Sequence, residues 1–254
     1  MFLQVIGSRS DGNAYVLQNE SEALLLEAGL PFKKTLEALD YNLEKVVGCL
    51  ISHEHKDHAE RVSEYLQNGV RVYASRGTNE GMKERYVEGF HMPENVPYTG
   101  AGDYLVFKLG NFSILPFKTI HSTKEPTGFL IHHPETGNFI FATDTGYIPN
   151  RFAGLNNIMI EANYDPELLR DRYFNGAITQ RRFEHVRTGH MSIETTIQAL
   201  QANDTSAVMN IVLLHLSQEH ADPESFRDRV KRATEARVYV AEPGLKIPFN
   251  KSPF

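Results

Sequence analysis

The stretch Val46-Val47-Gly48-Cys49-Leu50-Ile51-Ser52-His53-Glu54-His55-Lys56-Asp57-His58 decides how this chain is read. Its opening residues are continuously apolar and β-branched at several positions, as in a strand covered on both faces of a sheet. Its close crowds three imidazoles and a carboxylate into a loop directly after that strand. His53 and His55 project to one side and can grip one ion. Asp57 and His58 enter the next helix and can grip a second. One small tetrahedral ion cannot accept all four from so tight a turn, so one ion per pair is the natural geometry. The bland alternative is a solvated polar loop, but neutral histidines gain little at this density and charged ones repel.

Working outward, three more apolar segments end in a metal-ligating residue. Phe112–Phe117 runs on to His121, Phe139–Ala142 into Asp144, and Asn210–Leu214 into His215. Taken singly, each residue reads as a cap or turn. Together they follow the habit of α/β proteins, which build sites at the carboxyl ends of buried strands. Other short apolar segments, from Phe2–Ile6 through Ala23–Leu26 to Ile158–Ile160, supply further strands, and Pro134–Asn138 is a hairpin turn. Pro31 starts one helix. Asp57–Gln67 reads as a second, with Val62, Tyr65 and Leu66 on one face. Ser192 caps a third, and Asp222-Pro223-Glu224 opens a fourth. Strand-rich halves, each followed by helices, imply an α/β fold with two packed sheets and helices outside. No linker interrupts the chain, so residues 1–254 read as one domain.

Composition narrows the class. The chain has no apolar run of membrane-spanning length and no signal-peptide pattern at its start. A single cysteine, Cys49, excludes an internal disulfide and suits a reducing cytoplasm. It sits in the apolar strand, which reads as a buried structural thiol. A formal charge of −6 argues against nucleic-acid binding through overall charge, leaving only local charge to supply it.

The ordered motifs resemble the metallo-β-lactamase superfamily, and within it the YycJ/WalJ-type branch related to the tRNase Z nucleases. They are Gly7-Ser-Arg-Ser-Asp-Gly-Asn13, Ile51-Ser-His-Glu-His-Lys-Asp-His58, Ala142-Thr-Asp-Thr-Gly-Tyr147, Ile160-Glu-Ala-Asn163, Thr188-Gly-His-Met-Ser192 and Leu214-His-Leu-Ser-Gln-Glu219. The resemblance implies an αββα sandwich of two mixed β-sheets flanked by helices. It makes His53, His55 and His121 ligands of one ion and Asp57, His58 and His215 ligands of another, with Asp144 bridging. Seven ligands leave an open position for a bridging water or hydroxide, the nucleophile of the implied reaction. Histidine-rich donors favour two Zn2+ ions, and the carboxylates also admit Mn2+. Asp57 would also orient the nucleophile. Glu161 and His190 resemble an acid dyad, the carboxylate holding an imidazolium that protonates the leaving group.

The same resemblance places Ser10, Asn13 and Ser217 against substrate, and Glu27 behind the metal ligands. Relatives usually carry Asp where Leu24-Leu-Leu-Glu27-Ala-Gly29 has Glu27, whose extra methylene must pull the loop back or make a different bond. Arg9 reads as an exposed loop charge, with contact to a phosphate as the alternative. Between Arg170 and His190, five arginines face two acidic residues, with Tyr173, Phe174 and Phe183 among them. Charge alone reads this as a solvated helix face. With the resemblance it suits single-stranded DNA, with Arg181 and Arg182 as contacts, and implies a 5′-to-3′ exonuclease. No long insertion resembles the RNA-gripping arm of tRNase Z. Two rivals stay open: a small-ester hydrolase on the same scaffold, and a metal-stabilised module without activity. Homodimer formation also stays open. His91, His132, His133, His185 and His220 read as structural or surface residues.

Overall fold

Four of the apolar segments alternate their side chains between two different hydrophobic clusters, and this alternation builds the architecture. In the computed structural model, which describes residues 1–82 and 94–253, Ile158 and Ile160 point to one cluster and Met159 to another. Ile211 and Leu213 likewise oppose Val212 and Leu214. Cys49 and Ile51 oppose Leu50, and Leu25 opposes Leu24 and Leu26. Strands covered on both faces must lie between layers. His91 falls outside the described residues.

The first sheet holds β1 (Phe2–Arg9), β2 (Gly12–Gln18), β3 (Ala23–Leu26), β4 (Val46–Leu50), β5 (Val72–Ala74), β6 (Glu94–Asn95) and β14 (Lys246–Pro248). Their order is β14-β1-β2-β3-β4-β5-β6. The second holds β7 (Phe107–Leu109), β8 (Phe112–Lys118), β9 (Thr127–His133), β10 (Gly137–Ala142), β11 (Leu155–Glu161), β12 (Asn210–Leu214) and β13 (Arg237–Val240), in the order β13-β12-β11-β10-β9-β8-β7. Each sheet is mixed. β3, β4, β5 and β6 run parallel, as do β10, β11, β12 and β13, while the remaining pairings are antiparallel.

Leu3, Leu17, Leu24, Phe112, Phe129, Phe141 and Val212 fill the space between the sheets. On the outer face of the first sheet, Phe32 of α1 (Phe32–Ala38) meets Val62 and Tyr65 of α3 (Val62–Gln67). On the outer face of the second, Ile193 and Leu200 of α7 (Ile193–Gln201) pack with Phe226 and Val230 of α8 (Pro223–Ala233). The result is the αββα sandwich. Ser192 and Asp222 cap α7 and α8 through their side-chain oxygens.

The helix read over Asp57–Gln67 is two, α2 (Lys56–Ala59) and α3, broken at Glu60 and Arg61. The cause is tertiary. Arg61 donates its N–H to the Ala28 carbonyl, and His58 accepts from Ala28, so the chain is drawn onto the end of β3 before the helix can continue. The arginine-rich segment forms α5 (Pro166–Phe174) and α6 (Gln180–Gly189), capped by Asp165 and Thr179. No helical periodicity in the sequence marks α4 (Arg76–Met82).

Candidate metal centre

The carboxyl ends of β4, β8, β10 and β12 deliver His53, His55, Asp57, His58, His121, Asp144 and His215 to one edge of the sandwich. They fall into two overlapping groups whose ligand atoms lie within 4.8 Å of one another. One is His53, His55, His121 and Asp144; the other is Asp57, His58, Asp144 and His215. Asp144 belongs to both. Its Oδ2 lies 3.9 Å from His53 Nε2 and 3.8 Å from His121 Nε2, and its Oδ1 lies 3.4 Å from His58 Nε2. Asp57 Oδ2 is 3.2 Å from both His58 Nε2 and His215 Nε2.

The chemistry of these donors fits divalent cations. His121 Nδ1 is 2.8 Å from the Gly189 carbonyl, which takes its proton and leaves Nε2 as a lone pair facing His55 Nδ1 at 3.2 Å. His53 Nδ1 is held by the Ser52 hydroxyl, while its buried Nε2 has no hydrogen-bond partner among the described residues. Outer nitrogens engaged and inner nitrogens free is the arrangement of metal-binding histidines. Burial holds His53 and His55 below their ordinary pKa and brings His121 to about 4, against the pull of Asp144 in each case. All three are therefore neutral, as ligands must be.

In the second group, burial opposes charging, yet Asp144 and Asp57 lift His58 well above its usual value and His215 to about 10. Burial raises Asp144 and Asp57, but the histidines outweigh it and hold both well below the carboxylate range. A buried carboxylate and a half-buried one drawing protons onto their neighbours mark a place where positive charge is favoured.

Behind this group, Glu27 is buried, accepts from the Ser52 N–H at 3.2 Å, and lies 3.6 Å from His58 Nδ1. It thus faces the nitrogen of His58 that does not point into the cluster. Glu161 Oε1 is 2.6 Å from His190 Nδ1, and its Oε2 accepts from the N–H groups of Thr145 and Met191. Those bonds occupy the carboxylate, which favours a partner of His190 over a further ligand. Although burial disfavours charge on His190, Glu161 lifts its pKa; burial would raise Glu161, but His190 holds it low.

A cleft of 170 Å³ opens over the cluster, and Ser10, Ser217 and Arg182 line it. Arg181 is exposed but does not line it. Asn13 departs from its expected role. It is fully buried, and its Nδ2 donates to the Arg9 carbonyl at 3.0 Å and approaches Asp57 Oδ2 at 3.3 Å, so it braces a candidate ligand and does not line the cleft. His185 also departs, because it lines the cleft mouth with its ring 5.9 Å from that of His190. His220 is fully buried, His133 pairs with Glu22 at 2.9 Å, and His132 is exposed on β9.

Sequence reasoning missed Asn163, whose Nδ2 donates to the His215 carbonyl at 2.8 Å and sits 3.1 Å from its Nδ1. Its place in the Glu-Ala-Asn motif was the available signal. It also missed Thr145, whose hydroxyl oxygen accepts from Ile120 N–H and so ties the His121 loop to the Asp144 loop.

The β-lactamase superfamily domain model matches residues 24–216, most of the chain. The chain belongs to the metallo-β-lactamase superfamily. This family of metal-dependent hydrolases makes it an enzyme. It is 30% identical to exodeoxyribonuclease WalJ of Streptococcus pneumoniae over 85% of this chain and 81% of that protein. It is 29% identical to exodeoxyribonuclease YycJ of Bacillus anthracis over 97% and 94%. In fold it is similar to human tRNase Z, short form, with a TM-score of 0.65 at 16% identity over 98% of this chain and 99% of that one. No helix among the described residues is long and apolar enough to cross a membrane.

Proposed function

We propose that this single-domain chain is a dinuclear-metal phosphodiesterase of the cytoplasm, a 5′-to-3′ exonuclease on single-stranded DNA. The observation that carries this reading is the pair of ligand groups sharing Asp144, with the Glu161–His190 pair beside it. His53, His55, His121 and Asp144 would hold one ion, and Asp57, His58, His215 and Asp144 the other, zinc first and manganese second by donor chemistry. When bound, two such ions would supply an activated water, polarisation of the phosphoryl group and charge to offset the departing oxyanion.

The protein's own groups do the rest. Asp57, at the cleft, orients the attacking water. With Nδ1 of His190 engaged by Glu161, Nε2 is the atom that gives its proton to the leaving oxygen. Arg182, on the cleft wall without an ion-pair partner among the described residues, meets the phosphodiester backbone, and Arg181 extends that positive surface. Likeness to two exodeoxyribonucleases supports DNA as the substrate.

The test is degradation of 5′-labelled single-stranded DNA by zinc- or manganese-reconstituted protein, with His58→Ala alongside. Mononucleotides released from the 5′ end by the wild type, and none by the variant, is the expected result. Intact DNA in both lanes with two ions bound would sink the nuclease reading.

A further inference from the structure

Next to the metal cleft lies a second cavity of 230 Å³, and the two share Leu216 and Ser217 in their walls. Ser8 and Arg9 at the end of β1 form one side, and Ala241 and Glu242 just beyond β13 form another. Leu216, Ala221 and Val240 make its apolar surface. Arg9 is half-buried here, and among the described residues it has no ion-pair partner. The exposed loop charge expected from the sequence is therefore a cation set in a cavity wall.

The backbone that carries this cation is tied to the candidate centre by one side chain. Asn13 Nδ2 bonds the Arg9 carbonyl at 3.0 Å and lies 3.3 Å from Asp57 Oδ2. The Arg9 backbone and the candidate metal ligands are thus one polar side chain apart, and the cavity that Arg9 lines shares the wall of Leu216 and Ser217 with the metal cleft. The cavity is smaller than pockets for drug-sized ligands, which run from about 300 to 1,000 Å³. Space on this scale admits the end of a strand and not an oligomer segment. Apolar wall for a base, Gln218 and Glu242 for polar groups, and a guanidinium for phosphate are the parts a nucleotide site needs.

We infer that this cavity is the subsite for the terminal nucleotide of the strand. Arg9 takes its outer phosphate while the scissile phosphate lies over Asp57 and Asp144. The inference rests on the nuclease reading above and adds to it the place where a chain end is received.

The experiment is calorimetric titration of metal-loaded protein with thymidine 3′,5′-bisphosphate and with each thymidine monophosphate. The bisphosphate should bind the wild type roughly tenfold or more tighter than either monophosphate, since a charge-assisted contact is added. Arg9→Gln should erase that advantage. Ala221→Leu, which narrows the apolar side, should weaken the monophosphates as well as the bisphosphate. Equal preference for the bisphosphate in wild type and Arg9→Gln would overturn the inference. DNA hydrolysis by the wild type is scored separately. Its absence, with the affinity pattern intact, would remove the nuclease reading and leave a nucleotide-binding subsite standing.

Discussion

Adding one methyl group at Gly29 should dismantle half of the candidate metal centre. A Cβ on this backbone would lie 1.7 Å from the Asp57 carbonyl oxygen, 2.4 Å from its carbon, and 2.9 Å from the Asn13 amide nitrogen. All three are backbone atoms, so no flexible side chain can swing aside. Moving the Asp57 oxygen from 1.7 Å out to 3.0 Å displaces the ligand loop by about 1.3 Å. That loop is tied to the residue beside Gly29 by two bonds, Ala28 N–H to the His58 carbonyl and Arg61 N–H to the Ala28 carbonyl. The shift therefore passes to Asp57 and His58. A misplacement of about 1 Å costs roughly 100-fold in rate, and overpacking costs about 1–3 kcal/mol in stability. Gly29→Ala should bind one ion where two are expected of the wild type, and lose roughly 100-fold in DNA hydrolysis. Metal content after dialysis, melting and turnover on labelled DNA measure this. Gly69→Ala is the control: its φ is +80° with nothing within 4 Å, so it strains the backbone far from the ligands and should keep both ions. Two ions and wild-type turnover in Gly29→Ala would refute the reasoning.

Three further outcomes are expected. Asn13→Ala should lose roughly 10–100-fold in metal affinity, read by competition with a chelating dye, because Asp57 loses its brace. His190→Ala and Glu161→Gln should slow DNA hydrolysis by roughly 10²–10⁴-fold, yet slow an aryl phosphate ester far less, because nitrophenolate leaves without a proton. Equal losses on both substrates would contradict the acid role. Away from the cleft, burial would raise the Glu22 carboxyl, but hydrogen bonds from Asn111 and then His133 hold it below its ordinary value. Its stabilisation is present above its unfolded pKa of about 4.5 and fades as pH falls through the lower folded value. Urea midpoints of wild type and Glu22→Gln should differ at pH 7 and converge toward pH 3. A gap that stays constant would rule this contribution out.

What the sequence disclosed about the fold was whatever depends on period and on strand ends. A continuous apolar run followed by a polar residue locates a buried strand and the side chain at its tip, and this placed His53, His121, Asp144 and His215 at one edge. What it could not disclose depends on partners far along the chain. His121 is turned by a carbonyl 68 residues away, at Gly189. The break between α2 and α3 comes from Ala28, and nothing in the propensities of Asp57–Gln67 announces it. The resemblance places Asn13 against substrate, but β2 carries it inward beneath Asp57.

Backbone state is the deepest of these hidden features. Glu27, Asp144 and His215 hold left-handed φ values of 64°, 42° and 53°, and each stands just past a strand tip. Among the described residues only Asp40 and Tyr41, in an exposed turn after α1, share this state without being glycine. The conformation costs about 1–2 kcal/mol per residue, so surrounding bonds must hold it. They do: Leu50 O accepts from Glu27 N–H, the Thr143 hydroxyl donates to Asp144, and the Ser8 hydroxyl oxygen accepts from His215 N–H. A strand continuing straight would alternate these side chains away from the edge, whereas the left-handed step swings each one back into the cluster. This also answers how Glu27 fits where an aspartate is usual. Its carboxylate reaches Ser52 and faces His58 Nδ1, the different bond open to a longer side chain. Local preference argues against a left-handed glutamate or histidine, and strain gathered at three strand tips around one cluster is what a built site leaves in the backbone.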